Sequence, residues 1–109
     1  MLLIVRAKID SETRKKIAED LKGYIKVVVD VERGILAGGM ERHADEEKEL
    51  LNNGSLQRNL WGGGLDLETK EIDYNSIINL RPNQDNPSRD IMSSEVRFKF
   101  DKIVKDLLL

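Results

Sequence analysis

The segment YIKVVVDVERGILAGG (residues 24–39) has the pattern of a β-hairpin. Its first half alternates between apolar and charged residues, which is typical of a half-buried strand. The apolar side holds Ile25, Val27, Val29 and Val31, and the opposite side holds Lys26 and Asp30. ERG provides a turn, and ILAGG a short return strand. We therefore expect the hairpin to lie in a sheet that packs one face against a core.

Helices and further strands flank this hairpin along the chain. The run MLLIV predicts a strand, followed by a helix capped by Asp10 or Ser11. A second helix is expected to begin near Ala44 or Asp45 and to end at Asn53-Gly54. SLQRNLWGGGLDL and KEIDYNSIINL predict two more strands around a turn. One face of the second strand is expected to hold Ile72, Tyr74, Ser76, Ile78 and Leu80.

A last helix begins near Ser93 in this interpretation. Its expected core stripe is Val96, Phe100, Ile103, Val104 and Leu107. The order β-α-β-β-α-β-β-α predicts an α+β fold in which helices cover a mixed sheet of about five strands in two layers. With 109 residues, the chain is expected to form one domain, residues 1–109.

Composition excludes several classes of protein. The 18 basic residues against 20 acidic ones give a net charge of −2, so we do not expect nucleic acid among the partners. The absence of cysteine excludes disulfides and thiol catalysis. No segment approaches the roughly 20 apolar residues that a membrane span needs. A cytoplasmic protein is expected.

The only histidine, His43, stands just before a predicted helix and two residues before Asp45. Histidine titrates near neutral pH and is the usual general acid or base, and Asp45 would orient it. The positive end of the helix dipole would favour an anion there. Alternatively, His43 packs the helix entry and has a structural role. Neither its acidic neighbours nor the glycine clusters match a metal or nucleotide motif, so no metal is assigned and the cofactor is unknown.

The run INLRPNQDNPSRDI (residues 78–91) combines two arginines with two prolines and several amides. Arginine binds carboxylate or phosphate with two parallel hydrogen bonds, so a rigid loop with two arginines predicts an anion clamp. The predicted ligand-binding residues are Asn79, Arg81, Gln84, Asn86, Ser88 and Arg89, with Trp61 as a wall. The alternative is ordinary turn chemistry, because Asn, Asp, Pro and Ser dominate loops.

These glycine pairs and polar runs form a wider pattern. It comprises Gly38-Gly39, His43-Ala44-Asp45, Gly54-Ser55, Leu60-Trp61-Gly62 and INLRPNQDNPSR. The pattern resembles a family of short prokaryotic proteins known only as a conserved domain of unknown function, over nearly the whole chain. The resemblance supplies no activity, substrate or catalytic residue. It implies that these polar residues belong to one pattern, which supports a shared site. Because both polar segments are expected at the ends of sheet elements, we expect His43 and Arg81 to approach each other.

We interpret the sequence as that of a small protein that binds or acts on an anionic small molecule, one bearing phosphate or carboxylate, through a His/Arg/Asn site. Whether it is an enzyme stays open. The alternatives are a protein- or RNA-binding regulatory module and a structural homo-oligomer without catalysis. Phe98, off the core stripe, and the apolar residues 107–109 predict self-association as a dimer.

Overall fold

Five β-strands and three α-helices make up the fold in the computed structural model, which describes residues 1–109. In chain order the elements are β1 (Leu3–Val5), α1 (Ser11–Ile17), β2 (Tyr24–Asp30), β3 (Ile35–Gly38), α2 (His43–Asn52), β4 (Leu60–Asp66), β5 (Ile72–Asp73) and α3 (Ser94–Leu108). The predicted α+β class, strand number and element order are confirmed. None of the three helices has the length and apolar character needed to cross a bilayer.

The strands form one sheet in the order β1-β3-β2-β4-β5. All four pairings are antiparallel, whereas the sequence led us to expect a mixed sheet. The difference comes from the hairpin. After α1 the chain enters β2, which runs in the same direction as β1 but is separated from it by the width of one strand. β3 then fills the gap and runs antiparallel to both neighbours.

Helices cover both faces of the sheet, so the molecule has three layers rather than the expected two. α1 and α3 pack on the face that carries Val27 and Val29, and α2 packs on the face that carries Val28 through its Leu50. β2 is therefore buried on both faces and not half-buried. Even Asp30 has no exposed surface. Its carboxylate accepts hydrogen bonds from two backbone N–H groups and from Ser55.

The helix boundaries largely follow the predicted capping residues. The Asp10 side chain accepts a hydrogen bond from Thr13 N (2.7 Å), and Ser93 accepts one from Val96 N (3.2 Å). The main correction is at α2, which begins at His43, one residue before the predicted start.

The apolar residues of α3 lie largely within the chain's own core. Leu107 and Leu108 are buried, and their carbonyls accept hydrogen bonds from Ile9 N and the Arg14 side chain. The expectation that residues 107–109 leave spare apolar surface is therefore wrong for these two leucines, because they pack against the α1 segment. Phe98 is off the stripe as predicted, with 70% of its surface exposed.

The last predicted strand is much shorter than its alternation suggested. β5 contains only Ile72–Asp73, where a strand through Leu80 was expected. The Ser76 side chain accepts a hydrogen bond from Ile78 N and starts a 3₁₀ helix, Ile77–Asn79. Beyond β5, side chains rather than a strand form hydrogen bonds with the backbone groups at the edge of β4.

Candidate functional site

A cavity of about 520 Å³ lies beside the first turn of α2, which is within the roughly 300–1,000 Å³ typical of small-molecule sites. We call it the α2 cavity. It is lined by Tyr24 and Lys26 from β2, Arg42, His43 and Ala44 at the start of α2, Asp73 from β5, and Asn75, Ser76, Ile77 and Arg89 from the following segment. The cavity thus joins four separate parts of the chain.

Two glycines of β4 make room for this arrangement. In the sheet register, Gly64 lies opposite Lys26 and Gly62 lies opposite Val28, so both glycines are on the face that α2 covers. A Cβ atom at Gly64 would overlap the Tyr24 hydroxyl, and one at Gly62 would lie 2.6 Å from the Ser76 Cβ. The bare backbone lets the lining residues lie flat against the sheet.

The hydrogen bonding of His43 determines which ring nitrogen carries its proton. Nε2 lies 2.7 Å from the carbonyl oxygen of Gly63. A carbonyl oxygen can only accept, so Nε2 is protonated and donates. Burial lowers the pKa of His43 below its usual 6.5; the hydrogen bond to Gly63 and the charge of Asp73 oppose this shift, and the charge of Lys26 adds to it. The imidazole is therefore neutral at pH 7, with a lone pair on Nδ1.

The α2 cavity carries more positive charge than negative. Lys26, Arg42 and Arg89 supply three cations, and Asp73 supplies the one carboxylate of the lining. The Asp73 carboxylate already accepts hydrogen bonds from the Tyr24 hydroxyl and from the backbone N–H of Asn75. Burial and this contact with Asp73 raise the pKa of Tyr24, which stays protonated. This excess is notable in a chain whose net charge is −2.

One turn beyond His43, the Glu46 side chain is fully buried. One carboxyl oxygen accepts a hydrogen bond from Met40 N (3.1 Å), and the other has no partner in the chain. Burial raises the pKa of Glu46 to about 9. Glu46 is therefore protonated at neutral pH and does not cancel the nearby cations. Nowhere do three His, Asp or Glu side chains lie close enough together to hold a metal ion.

Two of the residues that the sequence assigned to a site, His43 and Arg89, line the cavity together. Asp45 does not lie against His43. Its carboxylate pairs with Arg42 Nε at 3.3 Å, because both residues project from the exposed side of the first helical turn. The structure therefore provides no carboxylate partner at Asp45 for the histidine.

Arg81 lies outside the cavity, and its guanidinium interacts with other groups of the protein. Its guanidinium donates to the carbonyl oxygens of Gln57 and Leu60, both at 2.6 Å, and stacks on the Trp61 ring at 3.9 Å. Arg81 and Trp61 are nearly fully buried in this contact. His43 and Arg81 thus hold β4 at different residues, and the expected meeting of the two side chains at one site does not occur.

The remaining polar residues of the 78–91 loop mostly hold the loop together. Asn79 is fully buried and pairs with both the N–H and the carbonyl of Gly62. Asn86, also buried, donates to the carbonyls of Asn79, Ser88 and Asp90 and accepts from Met92 N. Gln84 donates to Arg58 O, and Ser88 accepts from Asp90 N. These contacts fix the backbone that presents Arg89 to the cavity.

Several lining residues did not stand out in the sequence, above all Tyr24, Lys26, Arg42 and Asp73. Tyr24 and Lys26 belong to the side of β2 that was expected to face solvent. The glycines at alternate positions 62 and 64 were the available signal, because period-two glycines leave one face of a strand bare. No local pattern indicates that Asp73 would meet Tyr24, since 49 positions separate them.

Comparison with known proteins identifies a family whose function is unknown. A family model described as Protein of unknown function (DUF5674) matches residues 3–107, and the chain belongs to this family. No curated protein and no solved structure matches the chain.

Proposed function

We propose that this member of the family is a cytoplasmic protein that binds an anionic small molecule, bearing a phosphate or carboxylate group, in the α2 cavity. The observation that carries the proposal is the grouping of Lys26, Arg42 and Arg89 around one concavity. Arg42 already pairs with Asp45, but Lys26 and Arg89 have no ion-pair partner in the chain, so an anion in the cavity would compensate both of their charges.

The lining offers different contacts to an anion. Arg42 and Arg89 present planar guanidinium groups that suit two oxygens at once, while Lys26 supplies a point charge from the sheet. The first turn of α2, whose N-cap residue Arg42 makes no side-chain capping hydrogen bond, adds a favourable dipole. Hydrogen bonds to charged groups contribute about 1.5–3 kcal/mol each, so two such contacts supply about 3–6 kcal/mol, which corresponds to dissociation constants from several millimolar to tens of micromolar.

Binding of inorganic phosphate, phosphate monoesters and short dicarboxylates, measured by calorimetry, tests the proposal. Arg89→Gln and Lys26→Gln should each weaken the best ligand by about tenfold or more. Arg58→Gln is the matched control, since Arg58 is exposed and outside the cavity. Equal losses in Arg58→Gln and Arg89→Gln would reduce the effect to overall charge and contradict the proposal, as would binding of none of the three ligand classes.

Self-association is the second candidate. Phe98 and Met92 expose 70% and 57% of their surfaces, and such exposure of large apolar side chains favours a contact with another subunit. A homodimer that buries Phe98 is compatible with anion binding, because Phe98 does not line the α2 cavity. No comparable feature favours the regulatory module that binds protein or RNA. Tight, salt-sensitive binding in a gel-shift titration would bring it back.

A further inference from the structure

We propose that His43 accepts a phosphoryl group on Nδ1, which makes the α2 cavity a site of covalent phosphoryl transfer. The inference rests on the proposed binding of an anion in this cavity and names the substrate class. The donor is a small phosphorylated compound whose leaving group departs readily.

The first support is the state of the histidine. Its Nε2 proton is held by the Gly63 carbonyl oxygen at 2.7 Å, which fixes the ring's tautomer and orientation. Nδ1 makes no hydrogen bond within the chain, so it is the ring nitrogen left to meet a ligand. A neutral imidazole with a free nitrogen is a competent nucleophile, and histidine forms covalent intermediates in this way.

The second support is that the cavity presents no better nucleophile. The chain has no cysteine. The Tyr24 hydroxyl donates to Asp73, and the Ser76 hydroxyl oxygen accepts from Ile78 N in a residue with only 2% of its surface exposed. Among thiol, hydroxyl and imidazole groups, the imidazole of His43 is therefore the one in the cavity that is both accessible and uncommitted.

The third support is the charge around the ring. A phosphoryl group brings about two negative charges and three acceptor oxygens. Lys26 and Arg89 line the same cavity without an ion-pair partner in the chain and can neutralise them, and Arg42, which pairs with Asp45, lies beside them. The one lining carboxylate, Asp73, is turned to Tyr24 and to the backbone of Asn75. Stabilisation of transferring phosphoryl groups by such cations is a main source of catalysis in this chemistry.

The transfer from phosphoramidate, a simple donor, balances as follows. The Nδ1 lone pair forms a bond to phosphorus while the phosphorus–nitrogen bond of the donor zwitterion breaks. The bonding electrons leave with ammonia. The Nε2 proton stays on the ring in its hydrogen bond to Gly63, so the product is a phosphorylated imidazolium. No oxidant, reductant or further reactant is needed.

The test incubates the full chain with phosphoramidate and follows the intact mass and the phosphorus NMR spectrum. We expect one added phosphoryl group, with the acid lability of a phosphorus–nitrogen bond. His43→Gln should lose the adduct. Its side-chain N–H can still reach the Gly63 carbonyl, so the variant is expected to fold, which its unfolding temperature checks. Arg89→Gln should slow labelling by about tenfold, whereas Arg58→Gln should not.

Calorimetry with inorganic phosphate on the same samples separates the two proposals. Phosphate binding that depends on Arg89, without any adduct, refutes the covalent step and leaves anion binding in place. The absence of both binding and adduct refutes both proposals. An adduct that persists in His43→Gln assigns the phosphoryl group to another residue and overturns the inference.

Discussion

Replacing Asn79 with alanine should markedly lower the free energy of unfolding, because this amide joins the 78–91 segment to β4 beside the α2 cavity. The Asn79 side chain accepts from Gly62 N at 2.8 Å and donates to Gly62 O at 2.9 Å, so it pairs with β4 as a strand residue would. It also reaches the carbonyls of Tyr74 and Arg89. The side chain has no exposed surface.

The magnitude follows from which partners are left without a hydrogen bond. Tyr74 O still accepts from Ile91 N, and Arg89 O still accepts from Ser76 N, so these carbonyls remain satisfied. Both polar groups of Gly62 lose the amide that pairs with them. An unsatisfied buried group costs about 1–3 kcal/mol, which gives about 2–6 kcal/mol for the pair. Water that enters the space left by the amide pairs with part of these groups, so we expect the free energy of unfolding to fall by about 2–4 kcal/mol.

Urea unfolding followed by circular dichroism measures the free energy of unfolding, with an unchanged slope as the sign of an unchanged fold. Asn83→Ala is the matched control, because Asn83 is an exposed amide in the same loop, and its loss should stay within about 0.5 kcal/mol. Asn79→Asp keeps the acceptor but loses the donor, so it should not rescue stability. A loss below about 1 kcal/mol in Asn79→Ala would refute the role of the amide as a substitute strand.

Three further predictions each concern a single residue. The pKa of Glu46, raised from 4.5 to about 9, means that the folded state holds a proton that the unfolded chain releases, so stability should fall as pH rises through that range. Glu46→Gln should abolish this fall in urea titrations at several pH values. Gly64→Ala forces the Tyr24 hydroxyl away from Asp73 and should cost about 1–3 kcal/mol and weaken phosphate binding by calorimetry. Phe98→Glu should convert a dimer into a folded monomer by light scattering, and a monomeric parent protein at tens of micromolar would exclude the dimer.

The predictable parts of the fold are those whose signals are local. Asp10 and Ser93 cap helices because a side-chain oxygen three residues before a free N–H satisfies it wherever the helix packs. The stripe of α3 was equally clear, since its period matches the helix and Phe100 and Val104 are both buried. These features depend on neighbours within one or two turns.

The features that sequence reasoning missed depend on partners far along the chain. Alternation from Ile72 to Leu80 has the period of a strand, but the buried amide of Asn79 satisfies β4 without one. The sequence of β2 does not predict that helices cover both faces of the sheet. Lys26 and Asp30 indicate a solvent-exposed face, and only the position of α2 shows that this face is covered. Likewise, an arginine beside prolines predicts an anion clamp equally well whether its partners are a ligand or, as at Arg81, two backbone carbonyls.

The 78–91 loop and the α2 cavity therefore form one site, in which some residues hold the backbone and others line the cavity. Asn79, Arg81 and Asn86 are committed to backbone groups, which makes the 78–91 segment rigid, and Arg89 is the residue of that segment that reaches the cavity. Because Asn79 also donates to the Arg89 carbonyl at 3.1 Å, the two roles are linked through one backbone position. Changes at Asn79 should lower both stability and anion affinity, whereas Arg89→Gln should lower affinity alone. Measuring both quantities in both variants separates the residues that build the site from the residue that uses it.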